Sequence, residues 1–159
     1  MEETSTGEGI ETVMDAIRWA SAKAGINEVV LANISEAQKF IESFKANQYP
    51  INVIVPWTMN GTTDKNTGIR NAVIPFQGWV ITRTKENQID YRSVKVEELY
   101  IEPMRILAAK FIKNLLKTDV IDLQVLKVTD TIKPEYFFLN QQLMGVSYNL
   151  NLPVISNVC

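Results

Sequence analysis

Residues Met144 to Val154 read "MGVSYNLNLPV" and alternate without a break. Met144, Val146, Tyr148, Leu150, Leu152 and Val154 form one series; Gly145, Ser147, Asn149, Asn151 and Pro153 form the other. A period of two predicts a strand with one buried face. The opposite face should meet water, where strands commonly carry Lys, Glu or Arg. No charged side chain follows Glu135, however. Either Ser147, Asn149 and Asn151 simply face water, or this face or its edge meets another copy of the chain, where a buried unpaired charge would be costly. Charges commonly keep strand edges from pairing with other chains, and their absence here permits it.

The segments before this strand supply its partners. Ile10, Val13, Met14 and Ile17 follow the spacing of one helical face, Ser5 and Glu8 have capping-box spacing, and Gly25 is a natural C-terminal stop. In "NISEAQKFIESFKANQYP" the spacing predicts a second helix, with Ser35 as N-cap, Gln38 three residues on, and Phe40, Ile41 and Phe44 as its apolar stripe. "INVIVPW" alternates, placing Ile51, Val53, Val55 and Trp57 on one face of a strand. "NAVIPFQGWVITR" is rich in strand-forming residues but is interrupted by Pro75 and Gly78, which predicts an irregular strand. Between these two runs, Thr58 to Asn71 is rich in Gly, Asn and Thr and predicts a long, mobile hairpin arm.

The longest helical pattern lies in "VEELYIEPMRILAAKFIKNLLKTD". Pro103 suits a first turn, so the regular helix should begin near Glu102, with Glu97 and Glu98 in an irregular lead-in. Strands near Ile121–Ile132, with a bulge, and Tyr136–Val154, with a break at "LNQQ", complete the chain. The resulting expectation is an α+β fold in the order α-α-β-β-α-β-β: an antiparallel sheet of two hairpins packed against helices. The 159 residues suit a single domain, with a flexible N-terminus over residues 1–9 and the arm over 58–71.

Composition narrows the function. Histidine is absent, and the single cysteine is Cys159. A Ser-His-Asp or Cys-His nucleophile, a His-containing zinc site and an internal disulfide are therefore excluded. The net charge is −2, being −4 over residues 1–57 and +2 over 58–135. A general nucleic-acid binder would be clearly basic. The acidic start "MEETSTGEGIE" lacks the pattern of a secretory signal, and no apolar run approaches the roughly 20 residues of a membrane span, so a soluble protein made in a cytoplasm is expected.

Individual sites are weakly marked. "GTTDKNTG" has two glycines and a lysine but lacks Lys-Ser/Thr after the second glycine, so a flexible arm outweighs a phosphate loop. Asp119 and Asp122 have too few companion ligands for a calcium or magnesium site. No catalytic, cofactor-binding or metal-binding residue is assigned. Trp57 and Trp79, on the first hairpin, and Phe137 and Phe138, opening the last strand, are either core or anchors of a protein interface. With Ser147, Asn149 and Asn151 they make up the candidate subunit interface. Asp64, Lys65, Asn66 and Arg70 are the candidate contacts of the arm, to a neighbour or to a lumen.

The element order, the long arm and the closing "LNQQLMGVSYNLNLPV" resemble the tail terminator and neck-ring (head–tail connector) proteins of tailed bacteriophages, over roughly Ile51 to Val154. The helix predicted from Ser35 to Asn47 is additional to the simplest form of that family. The resemblance implies a non-enzymatic virion protein, assembled in the host cytoplasm into a homo-oligomeric ring at the head–tail junction. The ring would be a hexamer, with a dodecamer as the other size. Its implied partners are its own copies, portal, neck or tail-tube proteins, and DNA passing through the lumen without sequence preference; no membrane is involved. A monomeric module that docks a partner strand by β-augmentation is the alternative.

Overall fold

The computed structural model describes residues 9–10, 12–68, 70–84, 94–122, 127–136 and 143–155, leaving aside the side chains at 34, 38, 40–42 and 46. The elements run α1 (Val13–Ala24), β1 (Glu28–Leu31), α2 (Ile34–Ser43), β2 (Ile51–Ile54), β3 (Asn60–Thr63), β4 (Arg70–Arg83), the single turn α3 (Val94–Val96), a π-helical turn (Glu97–Ile101), α4 (Glu102–Leu115), β5 (Asp130–Glu135) and β6 (Leu143–Ile155). The fold is mixed α+β. The six strands among the described residues form one sheet in the order β1-β2-β4-β6-β5, with β3 also on β4.

The sheet is mixed rather than wholly antiparallel. The four-residue β1 lies between the two leading helices and runs parallel to β2, from Glu28 opposite Ile51 to Leu31 opposite Ile54. The chain thus makes a β1-α2-β2 crossover before its first antiparallel pair, which adds a parallel strand that the expected order lacks. "EVVL" is too short for its alternation to stand out, and its pairing with β2 makes it a strand.

Local signals fix the helix ends. Thr12 caps α1 by accepting the Asp15 N–H at 3.2 Å, and Gly25 ends it in the left-handed conformation at φ 95°. In α2 the cap is Asn33 rather than Ser35: Asn33 Oδ1 accepts the Glu36 N–H at 2.9 Å and the Ser35 hydroxyl at 2.7 Å. The regular part of the long helix begins at Glu102, as Pro103 predicts, after the π turn that carries Glu97 and Glu98.

The stripe on β6 behaves as its alternation predicts. Met144, Val146, Tyr148, Leu150, Leu152 and Val154 all join the main core, with Ile17 and Ala20 of α1, Ala108 and Phe111 of α4, and Ile74 and Phe76 of β4. Each fully buried side chain of this size stabilises the fold by about 1.5–3 kcal/mol. At the centre the Phe76 ring lies 6.1 Å from Tyr148, 6.3 Å from Phe111 and 6.1 Å from Trp57. A second core forms on the other face, where Val30, Ala37 of α2, Tyr49, Ile51, Val53, Trp79, Ile81 and Leu143 meet. Helices α1 and α4 therefore cover one face, and α2 covers one end of the other.

β4 is regular, not broken. It pairs with β6 over thirteen consecutive residues, from Asn71 opposite Ile155 to Arg83 opposite Leu143. Along its other edge β3 pairs with Arg70–Val73 and β2 with Gly78–Ile81. The Gln77 carbonyl accepts the Val55 N–H at 3.0 Å, so Gln77 directs its backbone polar groups toward the β2/β3 edge. By alternation Pro75 does the same, and it sits at the gap between those two strands, where no ladder donor is required.

Candidate functional site

The face left open by α2 is built from the outward series of β4 and β6. Asn71, Val73, Pro75 and Gln77 lie opposite Ile155, Pro153, Asn151 and Asn149 in register, and none of the eight is charged. Thr131 of β5 continues the row beside Asn149, while Asn60 and Thr62 of β3 continue it beside Val73 and Asn71. Asn149, Asn151, Pro75 and Gln77 are exposed, and so are two aliphatic side chains, Val73 at 39% and Ile155 at 40%. A shallow depression of about 380 Å³ opens among Pro75, Gln77, Thr131, Asn149 and Asn151. Charge returns only at the margin, with Lys133 and Glu135 on β5 and Arg83 on β4.

The sequence-based candidates divide on this geometry. Asn149 and Asn151 belong to the open face. Ser147 does not face water: it is only 7% exposed, flanked in register by Trp79 and Lys133, whose larger side chains stand on either side of it. Trp79 is 5% exposed within the α2-side core, so it is a core residue and not a free anchor. Trp57 does not share a face with Ile51 and Val53. The strand ends at Ile54, and beyond Pro56 the chain carries the Trp57 ring to Phe76 on the α1/α4 side. Phe137 and Phe138 lie outside the described residues. β6 itself is not an edge, because β4 and β5 occupy its two sides and Ile121 bridges Val154.

The arm is a paired hairpin. β3 pairs with β4, and Asp64 closes the turn by accepting the N–H groups of Asn66 at 2.8 Å and Thr67 at 2.9 Å. Gly68 supplies a positive φ of 71°. The two donated hydrogen bonds hold the Asp64 carboxyl below its ordinary range. Asp64, Lys65, Asn66 and Arg70 are all exposed on this projection. No helix follows Gly68, so the phosphate-loop context is missing.

No protein-family model matches the chain, and no curated protein matches it in sequence. What the site can do is read from its chemistry. Asp119 accepts the Gly9 N–H at 2.9 Å and so ties the chain ahead of α1 to the end of α4. Among the described residues no three Cys, Asp or Glu side chains converge as metal ligands. No described helix is long and apolar enough to cross a membrane. Tyr136 donates to Glu97 at the π turn, and this bond raises the Tyr136 pKa.

One buried polar chain escaped sequence reasoning. Tyr148 donates to Asn52 Oδ1 at 2.7 Å, and Asn52 Nδ2 donates to Ser21 Oγ at 3.1 Å, with all three residues at most 1% exposed. It links β6, β2 and α1 through the core, and burial raises the Tyr148 pKa steeply. The available signal was Asn52 between Ile51 and Val53, a polar side chain in a strand buried on both faces.

Proposed function

We propose that this protein is a structural component of a tailed-bacteriophage virion. In this reading it forms a homo-oligomeric ring at the head–tail junction that terminates the tail tube or connects it to the portal. Its action is adhesive and steric, with no catalytic step. The observation that carries the reading is the uncharged half of the sheet face beyond α2, with Val73 and Ile155 exposed among Asn149, Asn151 and Gln77. Contact between copies buries such a face without stranding a charge. The projecting β3–β4 hairpin supports it as the element that reaches a neighbour or the lumen, as does the long α4 ahead of a closing β5–β6 hairpin.

The ring would be a hexamer or a dodecamer, with portal, neck or tail-tube proteins above and below and DNA passing through without sequence readout. Native mass spectrometry of the purified chain tests the reading. A single ring-sized species is expected. A monomer at every concentration would contradict it. One observation favours a second reading, a monomeric module that takes up a partner strand. The outer edge of β3, Asn60 to Thr63, carries no charge and no proline, which suits β-augmentation.

A further inference from the structure

The outer side of α4 carries an ordered row of charges. Met104, Ala108, Phe111 and Leu115 turn into the main core, and Asn114 turns to α1, where its Nδ2 donates to the Ala20 carbonyl at 3.4 Å. The opposite side is exposed and reads, from the π turn to just past the end of α4, Glu98, Glu102, Ile106, Ala109, Lys113 and Lys117. Steps of three and four residues keep such positions along one side of a helix. The acidic pair comes first, two apolar residues stand in the middle, and the basic pair closes the row.

The helix dipole favours acid at the start and base at the end of any helix. It does not call for an isoleucine exposed at 47% between them. Most of these charges are also unused within the chain. Arg105 holds Glu97 and Glu102, whereas Glu98, Lys113 and Lys117 make no ion pair among the described residues. Beside the row, between α4 and β5, lies a depression of about 400 Å³ whose apolar lining is Ala109, Ile112, Leu116 and Ile132.

We infer that this row is a docking surface for a second copy of the chain, with the two α4 helices antiparallel about a two-fold axis. With Ile106 of one copy opposite Ala109 of the other, Glu102 falls opposite Lys113 and Glu98 opposite Lys117. The axis repeats every pair, so all four charges of each copy meet an opposite charge. Ile106 then enters the depression of the second copy at its Ala109 end and loses its exposure. Parallel helices would instead set Glu beside Glu and Lys beside Lys. A different partner would have to present both signs in this same reversed order, which the chain itself already does.

A two-fold contact closes after two copies. It therefore goes beyond the ring proposed above and needs no ring to form; between rings it joins two hexamers face to face into a dodecamer. Exposed ion pairs contribute little singly. The contact is accordingly weak between free copies and gains strength where a ring presents six at once.

Sedimentation velocity at low ionic strength tests this on the full chain, comparing the wild type, Glu98→Lys, Lys117→Glu, and the chain with both substitutions. Both positions are exposed, and circular dichroism checks that each variant folds. The wild type should sediment as double rings. Each single substitution sets like charges opposite one another and should halve the mass to single rings. The double substitution exchanges the signs and should restore double rings, because position 98 meets position 117 across the axis. Salt at about 1 M, where the screening length is about 3 Å, should split the wild type in the same way. Single rings from the wild type, or double rings persisting in both single variants, would overturn the α4 contact and leave the ring reading intact. A double variant that stays at single rings would overturn the antiparallel register. If the wild type forms no ring, a dimer at high concentration that only the single substitutions dissolve upholds the contact against the ring. A monomer throughout overturns both.

Discussion

Gly78 lies directly opposite Tyr148 in the β4–β6 ladder, and a Cβ placed on Gly78 would stand 2.4 Å from the Tyr148 hydroxyl and 2.6 Å from the Val53 carbonyl oxygen. The missing side chain lets the tyrosine cross β4 and bond to Asn52 on β2. The residue that looks like an interruption in "FQGWV" is thus what allows β6, β2 and α1 to share one buried hydrogen-bond chain.

This relationship predicts that Gly78→Ala destabilises the fold by about 2–3 kcal/mol, through overpacking against a backbone oxygen that cannot swing aside. Tyr148→Phe should cost about 1–3 kcal/mol by leaving the buried Asn52 oxygen without its donor. Urea denaturation of both variants checks the pair. Wild-type midpoints would show that the contact does not constrain the core.

Ser147→Lys should destabilise the subunit itself, because Ser147 is buried between Trp79 and Lys133. A lysine there must displace its neighbours or bury an ammonium group beside the existing Lys133. The expected cost is at least about 1–3 kcal/mol, the usual range for overpacking. The thermal midpoint reports it, and no change would show that the site opens freely to water.

Much of this architecture is readable from local pattern, and the rest depends on tertiary contacts. The alternation of β6, the stop at Gly25 and the start of α4 near Glu102 are local, and the structure has them at those positions. β1 is not local, since four residues gain strand character only from β2. The side change at Trp57 follows from β2 ending at Ile54, which alternation alone does not reveal. Ser147 and Asn149 are equivalent by period, and only the position of Trp79 and the limit of α2 coverage separate them. The open face was therefore half identified: its lack of charge is in the sequence, and its extent is in the sheet order.

Deleting Gly61–Gly68 should leave the thermal midpoint almost unchanged, since every described side chain in that stretch is exposed and buries little apolar surface. Assembly should fail, because the deletion removes the turn and most of β3. Unfolding of the shortened chain would instead make the arm part of the core.

The Asp64 carboxyl should titrate below the ordinary aspartate range, and NMR of its side-chain carbon reads this directly. Its folded pKa is depressed, so whatever it contributes to turn stability is present above the unfolded value near 3.8 and is lost as pH falls through the folded value. Asp64→Ala should accordingly lower the exchange protection of the Asn66 and Thr67 amides and remove the change in protection that follows the Asp64 titration. Unaltered exchange would show that the turn holds without its carboxylate.

The central claim is that the uncharged face of β4 and β6 is a contact between copies. Asn149→Glu combined with Asn151→Lys tests it most directly, since both side chains are exposed and neither belongs to a core. As surface changes they should move subunit stability by no more than about 0.5 kcal/mol each. Buried between copies, each new charge would cost several kcal/mol. Native mass spectrometry alongside circular dichroism should find a folded monomer where the wild type gives a ring-sized species. Ring-sized species at wild-type yield from the double variant would contradict the account.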